Sequence, residues 1–178
     1  MGNFVHLHVH TEYSILDGAT KIAVAAKKAK ALGMPALAIT DHGNMYGAVN
    51  FFDACEKEGI KAIIGTEFYV CDDLTVKSGK AKLNHLVLLC KNEEGYKNIS
   101  LLNAIAFRDG FYYKPRIDLK TLEAHHEGLI CLSACLAGDI PQAILNRNFD
   151  EAERLVLWFK NLFGEDFYLE MQNHMLEE

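Results

Sequence analysis

Residues 33–44 read GMPALAITDHGN, and this stretch decides how the chain is organised. Gly33 and Pro35 stop a preceding helix, since Gly takes the left-handed conformation readily and Pro cannot extend the helical ladder. Residues 36–40 then run apolar without alternation, the pattern of a strand buried on both faces. Asp41, His42 and Asn44 stand where that strand ends. The same unit recurs along the chain. Further strands are expected at 4–10, 61–70, 86–90, 129–133 and 167–171. Helices are expected at 20–32, at 46–58 before Gly59, at 93–107, and at 150–162 before Gly164. Segments 71–84 and 108–118 read as loops. Regular alternation of strand and helix predicts an α/β fold with six parallel strands and helices outside, open or closed into a barrel. No linker or internal repeat interrupts residues 1–178, which read as one domain. Only residues 172–178 follow the sixth strand, so a parallel barrel ending there has an exposed edge and reads as incomplete.

Half of the 178 residues are hydrophobic and the net charge is −6, which suits one globular domain with a sizeable core. Histidines at 6, 8 and 10 break the first apolar run, so no signal peptide is expected. The apolar runs are too short to span a membrane. Five cysteines lie scattered without a CxxC pair, which argues for a reducing, cytoplasmic setting. The acidic balance argues against a domain that grips duplex DNA unaided.

The strongest chemical signal is His6-Leu7-His8-Val9-His10. Side chains alternate along a strand, so three histidines at period two share a face. Unpaired imidazoles on a buried strand are costly, and metal coordination is the commonest way to satisfy them. Asp17 follows that segment, Asp41 and His42 follow the second, and Glu67 interrupts the apolar third. Ends of parallel strands are where barrels and open α/β sheets build their sites. Imidazole with carboxylate, and no paired thiolates, suits Zn, Mn or Fe better than a structural zinc knot. Asp17 and Asp41 are also readable as helix caps. His85 begins its strand, the wrong end for the barrel rule. Cys135 follows the fifth strand at the expected end, although a lone Cys is most often an apolar filler. Ser14 and Ser133 lie near histidines but in no nucleophile elbow. His125 and His126 read as solvated, and His174 is undecided.

The residues quoted, taken with FVHLHVHTEYSILDG at 4–18, GIKAIIGTE at 59–67, NHLVLL at 84–89, FYYKPRID at 111–118 and GLICLSAC at 128–135, resemble the PHP (polymerase and histidinol phosphatase) domain. Their form is that carried at the N-terminus of bacterial replicative DNA polymerase alpha subunits. The resemblance implies a distorted (β/α)7 barrel of the PHP type, here truncated before its last strand, with divalent metal ions, Zn or Mn, at its rim. Up to three ions are held in a complete domain. Carried over by position, the ligands are His8, His10, Asp17, His42, Glu67, His85 and Cys135, with His10 and Asp17 assigned to catalysis and His6 in support. The resemblance also suggests a phosphate contact for Arg116, which is equally readable as a solvated loop residue. The family pattern closes with an Asp-x-His pair further downstream, so the chain is expected to bind metal in part only.

The resemblance also frames the function. The parent enzyme extends DNA primers, with the rest of the polymerase chain, the primer terminus and other replicase subunits as partners. This chain carries no polymerase palm and is expected to be weak or inactive as a nuclease. Its own chemistry in the full-length parent would be metal-dependent 3′→5′ exonuclease action. The alternatives are a metal-stabilised scaffold without catalysis and a free-standing phosphoesterase such as a histidinol phosphatase. The polymerase-type segments at 11–18 and 111–118 argue against the last.

Overall fold

The computed structural model describes residues 4–15, 17–79 and 83–173. Helix α1 (Ile22–Ala31) precedes β1 (Ala36–Ile39), α2 (Ala48–Glu58) precedes β2 (Lys61–Cys71), and β3 (Asn84–Cys90) precedes α3 (Glu93–Arg108). A short β4 (Arg116–Asp118) runs directly into α4 (Leu119–Ala124). Then come β5 (Leu129–Leu132), α5 (Asp139–Leu145), α6 (Phe149–Phe163), one 3-10 turn at Gly164–Asp166, and β6 (Phe167–Tyr168). The expected punctuation operates. Gly59 ends α2 at φ 67, a left-handed conformation that a Cβ would penalise. Asn92, Asp118 and Asn148 each cap a helix by accepting a backbone N–H three residues on.

The fold is mixed α/β, and the sheet corrects the expectation of six parallel strands. Its order is β1-β2-β3-β5-β6, with β4 paired to β2. β1, β4 and β6 pair in parallel, but β3 is antiparallel to both β2 and β5. The reason lies between β2 and β3. A parallel return needs a crossover, commonly a helix, whereas an antiparallel one needs only a loop, and no helix is described between these strands. Residues 4–10 do not form the expected ladder strand. They run beside β1 through Ala38 N–H to the His6 carbonyl (3.0 Å) and Thr40 N–H to the Val9 carbonyl (2.9 Å). Acceptors three apart facing donors two apart leave one residue in excess, so regular pairing fails. The stretch 116–118, expected as loop, supplies β4. The short helices α4 and α5 were not foreseen.

Burial follows from amphipathic spacing. On α6 the buried side chains Ala152, Leu155, Phe159 and Phe163 recur at helical period. They pack with α3 onto Phe68, Val70, Leu86 and Leu88, while α1 and α2 cover Leu37 and Ile39. The alternate residues Ala38, Val87, Leu89 and Leu132 form a separate cluster. Period two along β2 therefore puts Phe68 and Val70 under the helices and turns Glu67 the other way. Arg116 is neither solvated nor turned to a phosphate. It is 2% exposed, donates to the carbonyls of Gly110, Leu74 and Val76, and so ties the two excursions together. Among the described residues no helix is long and apolar enough to cross a membrane.

Phe159 stacks on Phe167 with ring centroids 5.3 Å apart. Phe159→Ala should therefore cost about 3–5 kcal/mol in denaturant unfolding. Exposed Leu157→Ala on the same helix should cost under about 1 kcal/mol. Equal losses would contradict this packing.

Candidate metal centre

Glu67 is the hub of the site. It lies on β2 opposite Val87, is 1% exposed, and each carboxylate oxygen meets imidazoles. Oε1 lies 3.3 Å from His8 Nε2 and 3.1 Å from His85 Nδ1; Oε2 lies 2.7 Å from His42 Nδ1 and 3.3 Å from His10 Nε2. The closest approach, that of His42, is off the hydrogen-bond line, so His42 Nδ1 and Glu67 Oε2 are both buried without a hydrogen-bonded partner. The fold dictates this gathering. His42 follows β1 and bridges to Glu67, with the Gly43 N–H donating to the Glu67 carbonyl (2.8 Å). Gly43 has φ +60, and a Cβ there would strike Pro115.

The reversal of β3 explains His85. Its register places His85 beside Tyr69, at the same end of the sheet as Glu67. The start of an antiparallel strand is thus the right end, and the objection from the parallel-barrel rule falls. At the end of β5, Ala134 holds φ 61, strained for a residue with a Cβ, and Cys135 follows it. Cys135 Sγ lies 3.6 Å from His85 Nδ1 and 3.9 Å from Glu67 Oε1.

Supporting contacts fix which nitrogen of each leading histidine is free. His10 Nδ1 meets Ser14 Oγ at 3.0 Å, and the Ser14 hydroxyl donates to Asp41 Oδ1 at 2.8 Å. Asp41 also accepts from the Thr11 hydroxyl (2.7 Å) and backbone N–H. Of the two readings open for Asp41, ligand or helix cap, neither describes it; it braces the 11–14 turn. Ser14 is likewise a brace. His8 Nδ1 meets Glu170 Oε1 at 2.8 Å, and the Ser133 hydroxyl accepts the Glu170 N–H at 2.9 Å. Glu170 escaped the sequence reading because nothing in its spacing marks it; a lone carboxylate near the end of an apolar run was the available signal. Both Nδ1 atoms are taken up by this network, so both Nε2 atoms face Glu67 and are the ones that can meet an ion.

Of the expected ligands, His8, His10 and Glu67 form one group able to hold an ion, His10, Asp17 and His42 a second, and His42, Glu67 and His85 a third. Asp17 is the outlying member, its side chain 57% exposed and its Oδ2 2.9 Å from His42 Nε2. Cys135 adjoins the third group. His6 is exposed and belongs to none of them. His126 departs from expectation: it donates to the Glu123 carbonyl and packs edge-on against Phe163. His174 lies outside the described residues.

The donors fit a divalent ion. His8 Nε2, His10 Nε2 and Glu67 are spaced 3.1–3.3 Å apart. Four ligands at ~2.1 Å around a tetrahedral ion stand ~3.4 Å apart, so the two imidazoles are near the spacing such an ion needs, with one Glu67 oxygen beside each of them. Without an ion, the carboxylate favours the protonated form of His8, His85 and His42. Burial alone would depress His8, but hydrogen bonds to Glu170 and Glu67 and their charges raise it to about 10. Burial opposes, and contacts with Cys135 and Glu67 raise, His85 to about 9. His42 is raised chiefly by Glu67. Burial would raise Glu67, yet His10, His42, His8 and His85 hold its carboxyl far below the usual carboxylate range. His85 likewise lowers the Cys135 thiol.

Comparison with known proteins comes out consistently. The PHP domain family matches residues 6–174. DNA polymerase III subunit alpha of Borreliella burgdorferi is 50% identical over 98% of this chain, which covers 16% of that protein. The Helicobacter pylori protein of the same name is 46% identical over 96% of this chain, covering 15% of its own length. The chain thus spans about one sixth of such relatives. An amidohydrolase structure from Chromobacterium violaceum aligns at a TM-score of 0.41 and 23% identity, over 58% of this chain and 34% of that one; so slight a likeness carries no argument.

The shifts give a pH dependence. Raised histidine values stabilise the fold fully below the ordinary value of about 6.5, and that contribution drains away as pH climbs to about 9 for His85 and about 10 for His8. The lowered Glu67 acts oppositely: its contribution is present above ordinary carboxylate values and is lost as acid protonates it. In chelator, the melting temperature should fall between pH 7 and 10, and His8→Gln should flatten that fall. A slope unchanged in His8→Gln would contradict the assignment.

Proposed function

The chain belongs to the PHP domain family, and from that membership and the Glu67-centred cluster we propose a metal-binding PHP domain at the N-terminus of a replicative DNA polymerase. In the full-length enzyme it supports DNA synthesis and carries metal-dependent 3′→5′ exonuclease chemistry. The observation that carries this reading is the convergence of four imidazoles on one buried carboxylate with both oxygens engaged. The proposed ligands are His8, His10, Asp17, His42, Glu67, His85 and Cys135, for Zn or Mn, with up to three ions matching the three overlapping groups. The finer architecture, a distorted seven-stranded barrel occupying residues 1–178 and completed by further chain, belongs to the same proposal. So do the cytoplasmic setting and the partners: the rest of the polymerase, the primer terminus and other replicase subunits.

Bound divalent ions would supply an acidified water and neutralise phosphate charge. The residues do the rest. In hydrolysis, water oxygen bonds to phosphorus, the bond from phosphorus to the 3′ oxygen breaks, and that oxygen leaves with a proton. Asp17 is the exposed carboxylate at the mouth and is placed to take the proton of the attacking water; His42 Nε2, 2.9 Å away, steadies it. His10, locked by Ser14, keeps its Nε2 directed inward. A second reading, a metal-held scaffold, is favoured by one fact: the donors come from six separate segments between residues 8 and 135, which an ion would cross-link.

Two experiments test these readings. Zn or Mn should raise the melting temperature of the chain and chelator should lower it, by mass action on the native state. The response should collapse in His8→Ala and Glu67→Ala and persist in Glu56→Gln. Metal affinity should fall with acid, starting near pH 9–10, where His8 and His85 begin to take up protons, well above the roughly pH 6 that unperturbed imidazoles imply. An equal response in all variants would place the ions elsewhere. In the full-length polymerase, Asp17→Asn should cut primer degradation roughly a hundredfold, within the range of general-base catalysis, with primer extension retained. Retained degradation would leave only the scaffold role.

A further inference from the structure

Beside the cluster opens a cleft of about 590 Å³, lined by Asp17, His42 and His85 and also by Tyr46, Phe107 and Lys114. That volume falls within the range of small-ligand sites. The aromatic part of its wall is unusual for a surface. Tyr46 is 61% and Phe107 41% exposed, their ring centroids 6.3 Å apart. Phe111, also exposed, continues the row at 6.4 Å from Phe107 with planes 24° apart. Single exposed rings need no account, but a contiguous row rising from a polar, metal-competent floor marks a binding surface. The other distinctive group is Lys114. Its ammonium stands over the Tyr69 ring, 5.3 Å from the centroid, and Tyr69 is stacked on His42. In a chain of net charge −6, a cation at this place draws anions locally where the protein as a whole does not.

Flat rings, one cation and a site for divalent ions in one cleft match the parts of a nucleotide: a base with a π-face and a phosphate on either side. We propose that this cleft seats the unpaired terminal nucleotide of a DNA strand, its base on the Tyr46–Phe107 ridge and a backbone phosphate at Lys114. This rests on the metal-centre reading above, which supplies the neighbouring phosphate's place. Stacking on a ridge requires a base free of its partner, so a matched duplex end must fray before it fits, and a mismatched end enters more readily.

The test is anisotropy binding of a labelled hexadeoxythymidylate with phosphorothioate linkages, in Mn²⁺, against the same strand with an abasic 3′ unit. The chain should bind the complete strand about five- to a hundredfold more tightly, the range for one stacked base. Tyr46→Ala with Phe107→Ala should erase that difference, whereas Phe107→Tyr keeps it. Both positions are exposed, and circular dichroism checks that the variants fold. Lys114→Gln should weaken both strands alike and lower the salt slope by roughly 0.7, one single-strand phosphate contact. Equal affinity for the two strands, no saturable binding, or a base preference surviving the double alanine variant overturns the proposal. Tighter binding of the matching RNA overturns the assignment to DNA. If the base preference holds but neither chelator nor Asp17→Asn affects binding, the ridge stands and the metal-centre reading fails. If binding needs metal and Asp17 but ignores base and ridge, the reverse holds.

Discussion

The Glu67 carboxylate sits almost without solvent in the middle of β2, and taking a charge out of water there costs several kcal/mol unless it is matched. Its direction is not negotiable. Phe68 and Val70 must lie beneath α3 and α6, and strand alternation then turns Glu67 to the other face. The structure answers by drawing four imidazoles from three segments onto its two oxygens. None of the four would be comfortable half-buried alone. Together they solve one another's desolvation, whether by shared protons or by a shared cation.

What surrounds the cluster is organised to keep it from relaxing. Asp41 touches Glu67 only through the backbone, its carbonyl accepting the Glu67 N–H at 3.2 Å, while its carboxylate oxygens accept from Thr11 and Ser14, and Ser14 in turn orients His10. Ser133 plays the matching part for Glu170, which orients His8. Two buried serines that might have been taken for nucleophiles are thus struts. The left-handed Ala134 and the reversed β3 belong to the same scheme. Each bends the chain so that Cys135 and His85 come to the end where Glu67 is.

Much of this was legible in the sequence, and the failures share a cause. Long helices, their glycine stops and the apolar strands were readable because periodicity and punctuation are local. His8, His10, His42 and Glu67 were readable because a polar residue in an apolar run is conspicuous. Strand direction is not local. Whether β3 runs with or against β2 depends on the absence of a crossover helix, and missing that made His85 look misplaced. The 4–10 segment has a strand's pattern but one residue too many for its partner, a mismatch visible only in the pairing. Arg116 shows the limit most plainly. An arginine in a loop-like stretch reads as solvated, but here three carbonyls from two excursions leave it buried. Glu170 stayed hidden because orienting residues need no spacing of their own.

The exposure of the donors is graded, and the grading bears on how one constellation could serve both stability and chemistry. Glu67 is closed off, His8 and His85 are partly covered, and Asp17 stands in the open. A buried donor contributes to holding the fold because its loss leaves partners unsatisfied. An open donor adds little to stability but can meet water and substrate. Substitution at Glu67 therefore perturbs everything at once and separates nothing. Substitution at Asp17 removes a charge at the surface of the cluster while leaving the interior contacts in place. Tyr46 and Phe107 line the same cleft as Asp17, His42 and His85, so the open donor and the exposed rings face one space, while Glu67 stays closed off behind the imidazoles.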